Sequence, residues 1–145
     1  MKITAALLAS LIMFLAAARG RENPAPQLPS DMTLYYLCLL SSGTNAGKGT
    51  KEEIAVGQAA HLANIERLVG AGKILVAGPF MGAGKYRGLF IYKCASLDEA
   101  LQLSASDPLV QAGRLLADVQ PWAVGKGYIR DAEFPSPPFA HQAGR

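Results

Sequence analysis

Two helix-start signals of the same spacing fix the order in which this chain can form strands and helices. Thr50 precedes Glu53, and Ser96 precedes Glu99. In this spacing the hydroxyl and the carboxylate cap the first turn of a helix reciprocally. Each signal follows a run of strand-forming residues, and each predicted helix leads into another such run. The pattern therefore predicts two strand–helix–strand units in succession.

The predicted elements are four strands, rich in aliphatic, aromatic and β-branched residues, and two amphipathic helices. The strands cover 33–40, 73–80, 89–95 and 115–125, and the helices cover 50–69 and 96–106. This order predicts an α+β fold, a ferredoxin-like β-α-β-β-α-β sandwich with both helices on one face of the sheet. The strand over 33–40 is apolar on both of its faces, and one layer of helices cannot bury both. We therefore expect a homodimer in which a second copy covers the other face.

The ends of the chain differ from this middle part. Residues 1–20 have a lysine near the start, an apolar run and then small residues, which is typical of a signal peptide. The run is too short to span a bilayer. We expect a periplasmic or secreted protein that meets the membrane only during export. Residues 21–31 form a Pro-rich linker and 131–145 a Pro-rich tail, leaving 32–130 as the domain.

The charge of the chain argues against one class of partner. The net charge is +3, part of it in the termini, and no basic stripe is interleaved with aromatic residues, so nucleic acid is not an expected partner.

The two cysteines are predicted not to form a disulfide. In the predicted sheet Cys38 and Cys94 lie on neighbouring strands, four residues out of register or about 13 Å apart. A disulfide needs Cα atoms within about 7 Å. We expect two separate buried thiols.

Two other site types are not supported by the spacing of their residues. The loop over 43–50 lies between a strand and a helix, as a phosphate-binding loop does, but three residues separate Gly43 from Gly47 where the motif needs four. A Gly-rich lip over a pocket is the better interpretation. No His, Cys or Asp set has a recognised metal-ligand spacing, so no metal is expected.

His61 is the residue that most directly suggests chemistry. It shares the sheet-facing side of the first helix with Ile54, Ile65 and Leu68. It is either a core histidine bonded to a backbone carbonyl or a general acid/base, since imidazole ordinarily titrates near 6.5. The second interpretation needs an orienting carboxylate. Asp107 ends the neighbouring helix and is the candidate, although an Asp before Pro is also a common turn former.

A set of residues spread over about 33–129 resembles the YCII-related (YciI-like) family. The set comprises Ala60-His61-Leu62, Gly72, Gly78-Pro79, Gly88, Ser96, Glu99-Ala100, Asp107-Pro108, Gly113 and Pro121-Trp122. The resemblance implies a dimeric α+β barrel of ferredoxin-like protomers, with His61 and Asp107 as a catalytic pair in a pocket. It also implies lyase or isomerase chemistry on small ring-derived acids or phenols, without a metal or organic cofactor.

The chain departs from the family pattern at the expected pocket. Leu109 stands where relatives often carry an aromatic residue, and Gly57 and Gln58 stand where a basic residue is common. An anionic substrate thereby loses one expected contact. The sequence offers three replacements and does not choose between them: Lys85, Arg87 and Arg114.

The mechanism that follows is proton transfer by His61, with Asp107 holding its tautomer and stabilising the imidazolium. A hydroxyl from Tyr36, Tyr92 or Ser41 is the predicted donor to developing oxyanion charge. Two other functions stay open. One is a non-catalytic dimeric module that binds a small molecule, and the other is cofactor-independent oxygenation of a quinol-like compound.

Overall fold

A computed structural model describes residues 27–130 of the chain. This part contains four strands and three helices: β1 (Met32–Ser42), α1 (Lys51–Gly70), β2 (Ile74–Pro79), β3 (Tyr86–Tyr92), α2 (Leu97–Ala105), α3 (Pro108–Gln111) and β4 (Leu115–Gly125). The strands form one antiparallel sheet in the order β2-β3-β1-β4. The predicted α+β ferredoxin-like fold is confirmed, with element bounds that shift by up to three residues.

The predicted signal peptide, most of the predicted linker and the predicted tail lie outside the described residues. The domain limits therefore stay predictions. Among residues 27–130, no helix is both long enough and apolar enough to cross a membrane.

Local capping chemistry sets the limits of α1. The Thr50 hydroxyl accepts a hydrogen bond from the Glu53 amide at 3.2 Å, and the Glu53 carboxylate accepts one from the Thr50 amide at 2.8 Å. The helix ends at Gly70, and Gly72 follows with a positive φ of 66°. A side chain would be strained in that conformation, so glycine lets the chain turn directly into β2. The predicted capping box and stop are both present.

The start of α2 differs from the prediction in one bond. The Ser96 hydroxyl accepts from the Glu99 amide at 3.1 Å, which is half of a capping box. The Glu99 carboxylate, however, accepts from the Ala95 amide at 2.9 Å and from Lys73 Nζ at 2.6 Å. The hydrogen bond from Lys73 lowers the pKa of Glu99, and the same bond raises the pKa of Lys73. The second cap thus also ties α2 to the residue just before β2.

The core lies between the helices and one face of the sheet. Its large buried members alternate along the two central strands and meet the apolar faces of both long helices: Tyr36, Cys38, Leu40, Phe90, Tyr92, Ile65, Leu68 and Ala100. Leu40 pairs with Gly88, and Cys38 pairs with Phe90, the register that the sequence predicts. Both cysteines are free, as predicted, although Cys94 is only half-buried.

A small polar cluster inside this core holds α2 on the sheet. The Ser104 hydroxyl lies 3.1 Å from the Tyr92 hydroxyl and 3.6 Å from Cys38 Sγ. Burial raises the pKa of both Tyr92 and Cys38, so both stay protonated around neutrality. The cluster satisfies three polar groups that would be costly to bury alone.

The opposite face of the sheet is apolar and partly open. Tyr35, Leu37 and Leu39 point to it from β1 and are half-buried, while Leu116 and Trp122 of β4 are 54% and 38% exposed. An open sheet face of this kind fits the predicted homodimer, which stays a prediction.

The dimer prediction is tested by Leu37→Glu, which places a charge between Ile91 and Gln120 on that face. We expect the unaltered chain to sediment as a dimer and the variant as a monomer, because an unpaired carboxylate is costly to bury in an interface. The control Val56→Glu, at a position that is 71% exposed on α1, should stay dimeric. A monomeric unaltered chain would refute the prediction.

The bond between Glu99 and Lys73 predicts a pH-dependent stability. Because the pKa of Glu99 is lowered in the folded state, its stabilisation is present above the ordinary carboxylate range and is lost as pH falls through the lowered pKa. Glu99→Gln should lower the Tm at pH 7, with the difference shrinking towards pH 2.5 in thermal unfolding scans. Glu52→Gln, in the first turn of α1, controls for the helix dipole and should show a smaller loss at pH 7.

Candidate active site

His61 lies on the buried side of α1, and its partner is a side chain and not a backbone carbonyl. Its Nδ1 is 2.6 Å from Oδ2 of Asp107, which is 46 positions further along the chain. His61 is 8% exposed and Asp107 is 1% exposed. The Phe90 ring lies beneath the imidazole, with 6.1 Å between the ring centroids. The structure therefore brings together the two side chains that the sequence and the family resemblance single out.

Asp107 uses its two carboxylate oxygens for different purposes. Oδ1 accepts a hydrogen bond of 2.8 Å from the Leu109 amide, which makes Asp107 the N-cap of α3. Oδ2 faces His61. The sequence presents a turn-forming role and an orienting role for Asp107 as alternatives. In the structure Asp107 makes both contacts at the same time. The cap fixes the carboxylate, and the fixed carboxylate fixes the imidazole.

The other ring nitrogen of His61 remains available to a ligand. Nε2 has no hydrogen-bond partner among residues 27–130. No buried side-chain nitrogen or oxygen in this part of the chain lacks a partner, so Nε2 is in contact with solvent. His61 also lines a cavity of about 520 Å³. A carboxylate accepts hydrogen bonds only, so Nδ1 carries the proton and the Nε2 lone pair is free when the imidazole is neutral.

The cavity lies at the end of the sheet where β1 runs into the loop over 43–50. Most of its wall is apolar, including Leu40, Ile65, Phe90 and Leu109. Leu109, the position singled out in the sequence, is thus a wall residue. The volume falls within the range of small-ligand sites, about 300–1,000 Å³.

The loop over 43–50 contributes Ala46 and Gly47 to the cavity, as the predicted lip would. The loop is tied to the turn before β4, since the Asn45 amide donates to the Gly113 carbonyl at 3.0 Å. A Cβ at Gly43 would collide with that same carbonyl oxygen, so close packing requires glycine there. The Thr50 hydroxyl, which a phosphate-binding loop would use for Mg²⁺, caps α1.

The three hydroxyl residues predicted to line the pocket lie elsewhere. Tyr36 and Tyr92 are buried in the core, and the Tyr92 hydroxyl is engaged by Ser104. Ser41 belongs to the opposite face of the sheet, because side chains alternate along a strand. Ser42, one position on, lines the cavity instead. These placements correct the predicted pocket wall.

Two of the three basic candidates line the cavity. Arg87 and Arg114 are both present in its wall, whereas the Lys85 ammonium lies 5.2 Å from the Tyr86 ring centroid. The sequence does not show whether Arg87 or Lys85 lines the cavity. The direction of the Arg87 side chain depends on an irregularity in the pairing of β1 with β3. The register shifts between Leu40 and Ser41, opposite Arg87. No local motif marks that shift.

The described residues 27–130 bring no three His, Cys, Asp or Glu side chains together in a metal-binding arrangement. The expected absence of a metal and of an organic cofactor stays a prediction.

A search of curated proteins gives no significant match. Among solved structures, the chain is similar to 5-chloro-2-hydroxyhydroquinone dehydrochlorinase from Burkholderia phenoliruptrix AC1100, solved in complex with 2,5-dihydroxybenzoquinone. The two are 28% identical, and the alignment covers 61% of this chain and 92% of that chain with a TM-score of 0.47. The YCII-related domain matches residues 34–123, which is most of the described part. The chain therefore belongs to the YCII-related family.

Proposed function

We propose that this protein is a cofactor-independent lyase or isomerase that transfers a proton on a small ring-derived acid or phenol. His61 is the acid/base, and Asp107 orients it. One observation carries the proposal: the imidazole is held by a buried carboxylate at Nδ1, and the same side chain, with Nε2 unbonded, lines a mostly apolar cavity. Export and assembly as a homodimer are further parts of the proposal, supported by residues 1–20 and by the apolar sheet face.

The geometry supports His61 as a base because Asp107 binds the ring at Nδ1 and leaves Nε2 without a hydrogen-bond partner among residues 27–130. Asp107 is fixed by the Leu109 amide and cannot rotate away without losing a helix cap. Its charge favours the Nδ1–H tautomer and then stabilises the imidazolium that forms when Nε2 gains a proton. A positioned acid or base of this kind accelerates proton transfer by about 10²–10⁴-fold.

The proposed reaction needs only a proton and an electron pair. His61 Nε2 takes a proton from a carbon or hydroxyl of the substrate, and the electron pair left behind forms a new double bond. In elimination, the leaving group departs with the electron pair of the bond that breaks, and the imidazolium gives its proton to the leaving group or to solvent. In isomerisation, the imidazolium returns the proton to a different atom of the same molecule. Neither reaction involves a net oxidation or reduction of the substrate.

The cavity supports a small ring compound as the substrate. A volume of about 520 Å³ accommodates a substituted single ring, and Phe90, Ile65 and Leu109 provide an apolar surface against its faces. Asp107 itself has almost no access to water, at 1% exposure, which strengthens its electrostatic interaction with the imidazole.

Two substitutions test the pair. We expect His61→Gln and Asp107→Asn each to reduce kcat by at least about 100-fold, because the first removes the base and the second removes the charge that orients it. Turnover is measured on a panel of lactones and chlorophenols, together with hydrogen–deuterium exchange of substrate C–H groups by NMR. Asn still accepts from the Leu109 amide as an N-cap, and its NH₂ group donates to Nδ1 when the imidazole takes the Nε2–H tautomer, so Asp107→Asn should leave the Tm nearly unchanged.

The carboxylate-to-amide control is Glu66→Gln, an exposed position on α1 that should keep full turnover. Unchanged turnover or exchange in His61→Gln would refute the proposal. If the unaltered chain binds panel compounds but gives neither turnover nor exchange, the protein is a binding module. Oxygen uptake with a quinol would instead indicate oxygenation.

A further inference from the structure

The charged side chains that line the cavity are all basic. Arg87 and Arg114 contribute guanidinium groups, and no Asp or Glu is among the lining residues. Asp107 lies behind His61 and does not itself line the cavity. The charged groups that a ligand meets directly are therefore positive.

Arg87 is held by a neutral partner. Its Nε donates to the Ser42 hydroxyl at 2.9 Å, and its two terminal nitrogens have no partner among residues 27–130. The register shift opposite Leu40 and Ser41 lies at this residue, and such irregularities re-aim a side chain near functional sites. The hydrogen bond orients the guanidinium but does not neutralise it.

Arg114 is held in a similar way on the other side of β1. One terminal nitrogen donates to the Lys48 carbonyl at 2.7 Å, and the Arg114 carbonyl accepts from the Gly43 amide at 2.9 Å. Within the described part of the chain, the side-chain ion pairs are His61 with Asp107 and Lys73 with Glu99. Neither arginine therefore forms an ion pair there.

The two arginines converge on one place in the fold. Arg87 is on β3 and bonds to Ser42 at the end of β1, and Arg114 precedes the β4 residue that pairs with Ser42. Two guanidinium groups thus flank the end of β1 beside one cavity. The Glu53 carboxylate lies near Arg114, since a Cβ built at Gly49 would be 2.6 Å from Glu53 Oε2 and 3.0 Å from Arg114 Nη2, but Glu53 does not line the cavity. Guanidinium is the protein group best matched to a carboxylate, which it binds through paired N–H donors.

We propose that Arg87 and Arg114 form an anion-binding subsite that selects ring compounds bearing a carboxylate over uncharged phenols. A carboxylic acid is ionised at neutral pH, whereas a simple phenol, with a pKa near 10, is not. The subsite thereby narrows the substrate class of the proposed function to ring-derived acids. The inference rests on that function for turnover, but ligand binding tests it separately.

The experiment compares benzoate with benzamide, which has nearly the same shape and no charge, by isothermal titration calorimetry on the full chain. We expect benzoate to bind more tightly, and to weaken as salt rises from 50 to 500 mM, while benzamide does not change. Arg87→Gln and Arg114→Gln should each weaken benzoate by about tenfold and benzamide by less than about twofold. Lys85→Gln is the matched control, because its side chain lies outside the cavity wall, and it should change neither.

Arg114→Lys is a second variant in case loss of the bond to Lys48 disturbs the fold. It keeps the charge but loses the paired donors, and we expect an intermediate loss of benzoate affinity. Equal affinity of the unaltered chain for benzoate and benzamide, or no dependence on salt, overturns the subsite whatever the variants do.

His61→Gln separates this inference from the proposed function. The variant should bind benzoate like the unaltered chain, since the subsite is elsewhere in the cavity. If His61→Gln keeps turnover while the arginine variants lose benzoate affinity, the proton-transfer function fails and the subsite stands. If His61→Gln loses turnover while the arginine variants bind benzoate normally, the subsite fails and the function stands.

Discussion

The Asp107 carboxylate is the group on which the site depends, because it forms hydrogen bonds to two separate helices. One oxygen starts α3 through the Leu109 amide, and the other holds His61 on α1. At 1% exposure the carboxylate has almost no access to water, so it needs both bonds. Removing either partner leaves a buried acceptor unsatisfied, a situation that costs more than the bond itself contributes. These two bonds explain how one short helix can fix the position of His61.

The order of elements follows from local chemistry, and for that reason the sequence predicts it well. Caps at Thr50 and Ser96, a stop at Gly72 and alternating apolar residues act within a few positions of one another. The antiparallel plan then gives the register of β1 with β3, including Leu40 opposite Gly88. The short helix α3 begins at Pro108 because Asp107 caps it, and the same carboxylate also bonds to His61.

The walls of the cavity were harder to predict because they depend on single-residue shifts. A one-residue change of register moves a strand side chain to the other face, which is why Ser42 lines the cavity and Ser41 does not. Arg87 depends on a register shift that no motif marks. Tyr92 lies on the same face of the sheet as Phe90, which lines the cavity, but its hydroxyl is hydrogen-bonded to Ser104 of α2. His61 and Asp107 are 46 positions apart, and the sequence pairs them because the predicted fold places the end of the second helix beside the first; the family resemblance supports the same pair.

Negative and positive side chains occupy different places around the cavity, and this arrangement favours the proposed proton transfer. Asp107 stands behind the imidazole, so its negative charge stabilises the protonated ring without repelling an anionic ligand at close contact. The arginines face the ligand, and their fixed positive charge is present before any proton moves. In the proposed reaction, removal of a proton by His61 adds negative charge to the substrate near these groups. Preorganised positive charge stabilises this added charge in the transition state, so the arginines proposed to bind the carboxylate also favour the proposed proton transfer.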